Sequence, residues 1–208
     1  MRSKLLFLLL FVSVIITSCK KKNIDTLGGS QSPIGEVGVT LATTASVNGV
    51  SSVSGSVTSL EDGISSFSGS AVITNTAIKN ILSGFPGTSI NGNNVTVSGI
   101  EFKITTEGIK SFNGLEEGII VKYDAKVGDK YSISGGGKRT VISRSTIDDY
   151  PWGFMDIKVI QVEENVNKLG IKKINYWANH RFGLVGVEIT FDDNSTANFP
   201  IFASAQNP

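Results

Sequence analysis

Gly49-Val50-Ser51-Ser52-Val53-Ser54-Gly55-Ser56 recurs fourteen residues further on as Gly63-Ile64-Ser65-Ser66-Phe67-Ser68-Gly69-Ser70. Around these copies Val53 and Val57, then Phe67, Ala71 and Ile73, fall at alternating positions. Successive side chains of a strand point to opposite faces, so this spacing lines one face of a sheet with apolar groups and the other with serines. Glu61-Asp62-Gly63 between the copies has the composition of a hairpin turn. Gly55 and Gly69 recur inside the strands, where glycine marks a bulge or a close approach of backbones. Two copies are too few for a solenoid, and the repeat reads as a duplicated hairpin.

The surrounding tract, 38–100, carries only Glu61, Asp62 and Lys79 as charged residues and is dominated by Ser, Thr, Gly and Asn. Such a composition suits disordered low complexity, but its Val, Ile and Phe come in short runs bounded by turn residues, the mark of strands. One helix is predicted over 75–83. Thr74 or Asn75 caps it, Ala77, Ile78, Ile81 and Leu82 form its apolar stripe, and Gly84 with Pro86 ends it. Further strands are predicted over 95–105, 119–125, 130–134, 139–145, 156–163 and 172–177. In a last hairpin Val185, Val187, Ile189 and Phe191 alternate with polar or small residues, Asp192-Asp193-Asn194-Ser195 turns the chain, and Ala197, Phe199 and Ile201 return. Pro200 has no N–H to give a ladder and marks that strand as an edge. Strands joined by turns rather than helices exclude a doubly wound α/β fold and predict an all-β antiparallel sandwich or barrel-like domain.

The chain opens differently. Arg2 and Lys4 precede an apolar run over 5–16 broken only by Ser13, the pattern of a secretory signal peptide. The run is shorter than the roughly 17–25 apolar residues that a membrane-spanning helix needs. Ile16-Thr17-Ser18-Cys19 ends it, and Cys19 is the chain's one cysteine, so no disulfide can form within the chain. Residues 1–18 are therefore expected to be a leader and 19–36, with Gly28-Gly29 and Pro33, a flexible tether. Residues 37–208 form the β-rich domain, as one unit or as two subdomains meeting near 115–125.

Ser18-Cys19 followed by Lys20-Lys21-Lys22 resembles the lipobox region of Bacteroidota lipoproteins, and the Tyr- and Trp-bearing second half is similar to uncharacterised lipoproteins of that group. The resemblance implies that Cys19 becomes the first residue of the mature chain, with acyl chains such as palmitate on its sulfur and amine. Several chains together make a stable anchor where one does not. It implies the outer membrane, because Lys20 is not the retaining aspartate. It also implies the periplasmic face rather than the cell surface, because acidic residues are missing beside the cysteine. Asp25-Thr26-Leu27 resembles the O-glycosylation motif of the same bacteria, with Thr26 as the acceptor.

Without Arg2 and Lys4, 17 of the chain's 19 basic residues remain against its 18 acidic ones, and no basic cluster extends beyond Lys20 to Lys22. That charge pattern lacks the footprint of a nucleic-acid binder. Those lysines suit anionic lipid headgroups or a solvated tether. One histidine and an acylated cysteine make no zinc set, and no calcium-loop motif occurs, so neither metal nor cofactor is expected. The carboxylate pairs Glu116-Glu117, Asp148-Asp149, Glu163-Glu164 and Asp192-Asp193 read mostly as turn or strand-end acids facing water. Gly135-Gly136-Gly137-Lys138-Arg139-Thr140 lacks the hydroxyl residue after its lysine that a phosphate loop requires, and reads as a hairpin turn. His180 is the one candidate general base, in the predicted turn Asn179-His180-Arg181-Phe182-Gly183, and no nucleophile elbow accompanies it.

Asp148-Asp149-Tyr150-Pro151-Trp152 with Tyr176-Trp177 gathers aromatic faces beside carboxylates, as a sugar-binding surface does. The same rings also suit the core or edge cover of a β-domain. The expected function is a lipid-anchored, non-catalytic envelope domain with a structural or protein-contacting role. The alternative is an envelope protein binding a glycan or small ligand through Tyr150, Trp152 and Trp177, and a third class is a hydrolase built on His180. Replacing Cys19 by alanine should move the protein from the membrane to the soluble fraction and remove the acyl mass from its amino-terminal peptide, as read by fractionation and mass spectrometry.

Overall fold

The structure, a computed structural model, describes residues 26–43 and 49–208. The leader, Cys19 and the first part of the tether lie outside them. The strands are β1 (Thr40–Ala42), β2 (Val50–Glu61), β3 (Ile64–Ile73), β4 (Thr88–Asn91), β5 (Asn94–Thr105), β6 (Gly108–Ser111), β7 (Gly118–Lys122) and β8 (Lys130–Ser132). They continue with β9 (Lys138–Arg144), β10 (Tyr150–Trp152), β11 (Met155–Ile157), β12 (Ile160–Lys168), β13 (Ile171–Asn179), β14 (Gly183–Phe191), β15 (Thr196–Pro200) and β16 (Phe202–Ala203). One helix, α1 (Thr76–Ser83), joins β3 to β4. The domain is all-β and antiparallel, as the alternation predicts.

The duplicated segments form β2 and β3, paired with Val57 opposite Phe67. Asp62 (φ 51°) and Gly63 (φ 75°) both take left-handed backbone at the turn, whose twist matches that of the flanking strands. Asn75 caps α1, its side-chain oxygen accepting from the N–H groups of Ala77 and Ile78, while Ile78 and Ile81 are buried.

Two large sheets face one another. The first runs β16-β1-β2-β3-β5-β6-β7, with β4 also paired to β5; the second runs β15-β14-β13-β12-β9-β8. Both margins are tied. On one side the chain leaves β15, crosses at Ile201 and pairs with β1 as β16. On the other, Gly118 of β7 bridges Ile133 just beyond β8, and the Ser134 N–H donates to the Glu117 carbonyl at 3.0 Å. The result is a sandwich curled toward a barrel. Hairpin β10–β11 lies outside it as a small separate sheet.

One buried cluster draws Val57, Phe67 and Ile104 from the first sheet and Val141, Val162 and Ala178 from the second. Within 115–125, Gly118–Lys122 form β7, the last strand of the first sheet. The expected tether reaches too far: Ser32 is fully buried, its N–H donates to the Ile104 carbonyl at 3.0 Å, and Pro33–Gly35 form a 3-10 turn that buries Ile34. Apolar Ile34 and the hydroxyl of Ser32, which donates to Asn207 Oδ1 at 2.6 Å, hold this stretch to the domain. The last hairpin also departs from simple alternation. Trp177 pairs with Gly186 and Ala178 with Leu184, so Val185 is an extra, bulged residue. Val185 therefore packs with Ile157 and Val159 beneath β10–β11 instead of joining Val187 and Ile189 in the interior.

Gly55 and Gly69 stand directly opposite each other. A Cβ at Gly69 would lie 2.9 Å from the Ser54 carbonyl oxygen, closer than side-chain carbons approach backbone. Gly69→Val should cost about 1–3 kcal/mol through this crowding, read as a lowered urea midpoint with an unchanged slope.

Candidate functional site

The interior faces do not close on each other everywhere. Between the sheets, under α1, lies a cavity of about 360 Å³, and a second of about 260 Å³ adjoins it. Val53, Ala71, Ile73, Leu82, Ile100 and Phe102 belong to both walls. For the smaller cavity, the cause is legible in β2 and β3. Gly55 and Gly69 occupy inward positions between Val53 and Val57 and between Phe67 and Ala71, so the middle of that face carries no side chain. The larger cavity is partly open to solvent.

The wall is mostly apolar, with Ser111, Asn113 and Glu116 at the first-sheet margin and a charged pair beside it on the second sheet. Arg139 of β9 and Glu164 of β12 are cross-strand partners on the inner face, 2 % and 0 % exposed. Arg139 Nε donates to Glu164 Oε2 at 2.7 Å. The rest of the guanidinium turns to the first sheet, with Nη1 donating to the carbonyls of Gly118 (2.9 Å) and Ile119 (3.2 Å) and Nη2 to that of Glu116 (3.1 Å). Tyr176 of β13 donates its hydroxyl to the same Glu164 Oε2 at 3.0 Å. Burial pushes the Tyr176 phenol far above its ordinary value, so it stays a neutral donor. The Arg139 guanidinium also lies 5.6 Å from the Tyr176 ring centroid. Glu164 Oε1 is buried and has no hydrogen-bond partner among the described residues.

One side of the cavity is bounded by the loop between β6 and β7, where Gly114, Leu115 and Glu116 line it; Leu82 of α1 and Phe85 beyond the helix also line the cavity. Lys168, at the end of β12, ties this loop down by donating to the Leu115 carbonyl at 2.9 Å and pairing with Glu116. Glu116 Oε2 also accepts from the Ser134 hydroxyl and the Gly135 N–H, each at 2.7 Å. Lys168, then Ser134, hold the Glu116 carboxyl below its ordinary value.

The structure brings Tyr150, Trp152 and Trp177 together, but on the outside of the second sheet. Tyr150 stacks on Trp177 with ring centroids 6.0 Å apart and lies across Gly186, which has no side chain to obstruct it. Trp152 lies 4.4 Å from the Phe182 ring and 5.0 Å from that of Phe202, and its indole N–H donates to the Ile201 carbonyl at 2.9 Å. The three rings are half-buried and packed on neighbouring rings, over Val185. Asp148 and Asp149 are exposed beside them, Asp149 accepting from the Ser145 hydroxyl at 2.5 Å. Thr26 is exposed. His180 is exposed at the β13–β14 turn; Asn207 holds its carbonyl, and its imidazole forms no hydrogen bond with the described residues.

Among the described residues no three His, Cys, Asp or Glu side chains are grouped to hold a metal ion, and no helix is long and apolar enough to cross a membrane. Comparisons with protein-family models, with curated proteins and with solved structures gave no match.

Glu164 is the residue that pairwise reading of carboxylates misplaces: it is interior, not a strand-end acid facing water. The signal is the run Ile160, Val162, Glu164, Val166, an acid standing in the apolar register of its strand. Arg139 precedes Val141 in the same way on β9.

Arg139→Met should destabilise the fold by about 3–5 kcal/mol, because it leaves Glu164 buried and unpaired, whereas Arg139→Met with Glu164→Leu should recover most of that loss in urea denaturation. A carboxyl with a depressed folded pKa stabilises the fold fully above its unfolded pKa and loses that contribution as pH falls through the folded one. Below the ordinary carboxylate range, urea midpoints should therefore fall more steeply for the native chain than for Glu116→Gln.

Proposed function

We propose that the protein is a non-catalytic, lipid-anchored domain of the bacterial envelope that holds an apolar small molecule between its two sheets. The cavity carries this reading. Its volume of about 360 Å³ falls within the range of about 300–1,000 Å³ for small-molecule sites, which are largely apolar with a few placed polar groups. Cys19, read as the acylated residue, would keep the domain beside a membrane, a natural source of such molecules.

Glycan binding is a second reading, favoured by the gathering of Tyr150, Trp152 and Trp177 in one patch. It needs ring faces free for sugar CH groups, whereas Trp152 and Tyr150 stack on protein rings.

Envelope membranes bearing the full chain can be labelled with a photoactivatable, alkyne-tagged hydrocarbon probe. Adducts should map to peptides of β2, β3 and α1. Ala71→Phe, which fills the shared wall of the two cavities, should cut the yield about tenfold, a loss of about 1.4 kcal/mol in binding. Labelling confined to the exterior, or untouched by Ala71→Phe, would count against the reading.

A further inference from the structure

Resting on the lipid-anchored part of that reading, and not on the cavity, we infer that the end of the sandwich opposite α1 lies against the lipid surface, with Phe154 of the β10–β11 turn inserted into it. The described chain enters the domain at this end. Ser32 donates its N–H to the Ile104 carbonyl and Thr106 donates its N–H to that of Ser30, so residues 30–32 run along β5 to the β5–β6 turn. Gly28 and Gly29 lie against Thr106 and Glu107 in that turn. Cys19 stands seven residues before Thr26, a length of chain that spans at most about 25 Å. β2, twelve residues long, begins beside the Asn75 cap of α1 and runs about 40 Å to the opposite end. An acylated Cys19 therefore cannot let the domain stand with α1 on the bilayer, and it holds the opposite end close to the headgroups.

The same end presents apolar side chains to the outside. Asn207 links Ser32 to the His180 carbonyl, which places the β13–β14 turn there. Tyr150 stacks on Trp177 and Trp152 packs on Phe182 of that turn, so β10 runs toward this end and its tip, Gly153-Phe154, points to it. Gly153, at φ 61°, takes the left-handed position the turn needs; the next position makes no demand for an aromatic ring, yet Phe154 stands there fully exposed. Met155 lies opposite Trp152 and so shares its inward face, but it is more than half exposed: the tip overhangs the sheet. Trp152 holds the tip in place, clasped by Phe182 and Phe202 and donating its indole N–H to the Ile201 carbonyl. Val127, in the turn after β7, and Ile147, in the loop after β9, are also more than half exposed. The exposed charges nearby are mixed, Lys126, Arg144, Lys158 and Arg181 against Asp148, Asp149 and Asp156. Such a surface gains from burying apolar area at the interface rather than from attraction to anionic headgroups.

The test uses the full acylated chain in phosphatidylcholine vesicles. Cys19 is the chain's one cysteine, so once it is acylated an introduced cysteine is the single thiol to label. A fluorophore goes on Ile147→Cys, at the proposed contact, or on Leu169→Cys, which lies against Gly84 at the α1 end. Lipid bearing a nitroxide on its headgroup should quench the first strongly and the second scarcely. Phe154 is fully exposed, so Phe154→Asp leaves the fold intact. It should lower the ratio of docked to undocked domain, read by quenching at Ile147→Cys, about tenfold or more, the worth of burying one aromatic ring. Replacing part of the phosphatidylcholine by phosphatidylglycerol should change that ratio by no more than about twofold. Equal quenching at both positions, or quenching untouched by Phe154→Asp, overturns the inference while the anchor stands. Quenching that requires phosphatidylglycerol overturns it in favour of an electrostatic contact. Shielding of Ile147→Cys that appears only at high protein density assigns the tip to a second copy and overturns it as well. A chain that does not float with the vesicles at all removes the anchored reading itself.

Discussion

A guanidinium with no access to water organises the interior. Arg139 reaches from the second sheet to the carbonyls of Glu116, Gly118 and Ile119 at the margin of the first, beside the Gly118–Ile133 bridge and the contacts of Glu116 with Ser134, Gly135 and Lys168. Bringing that charge inside is expensive, and its attraction to Glu164 offsets the cost only while both remain and the donors of the guanidinium are used. Sheet spacing at this margin is thus set by the reach of an arginine rather than by interlocking apolar side chains. A strand register shifted by one residue would turn Arg139 and Glu164 to the outside, so the pair also specifies how β9 and β12 align.

The same spacing explains why the interior is incompletely filled. Protein cores pack like organic crystals, and a gap that side chains could close is normally closed. Here the long polar pair holds the second sheet at a distance, while Gly55 and Gly69 remove side chains from the first. Arg139 lines the larger cavity and the two glycines the smaller one beside it.

Much of the architecture was legible along the chain. Period-two alternation, the Asp62-Gly63 turn, the Asn75 cap and the edge position of Pro200 depend on residues within a few places of one another. The aromatic cluster was half legible. Tyr150, Trp152 and Trp177 do come together, but their packing against Phe182 and Phe202 follows from a hairpin folding back over the bulge at Val185. A bulge has no reliable local signature, and one extra residue reverses the face of everything beside it. Residues 31–36 read as spacer because Gly and Pro break periodicity equally in a free tether and in a tight packed turn.

The sequence by itself determined that the chain would make antiparallel strands with one short helix, because alternation, turns and caps are short-range effects of backbone geometry. Only the tertiary structure decided that Arg139 and Glu164 meet, that both margins of the sandwich are tied, and that a cavity remains between the sheets. Each of these joins residues far apart in the chain. A lone inward acid or a bare glycine is merely unfavourable until folding supplies the cation, or the opposite wall, that gives it a use.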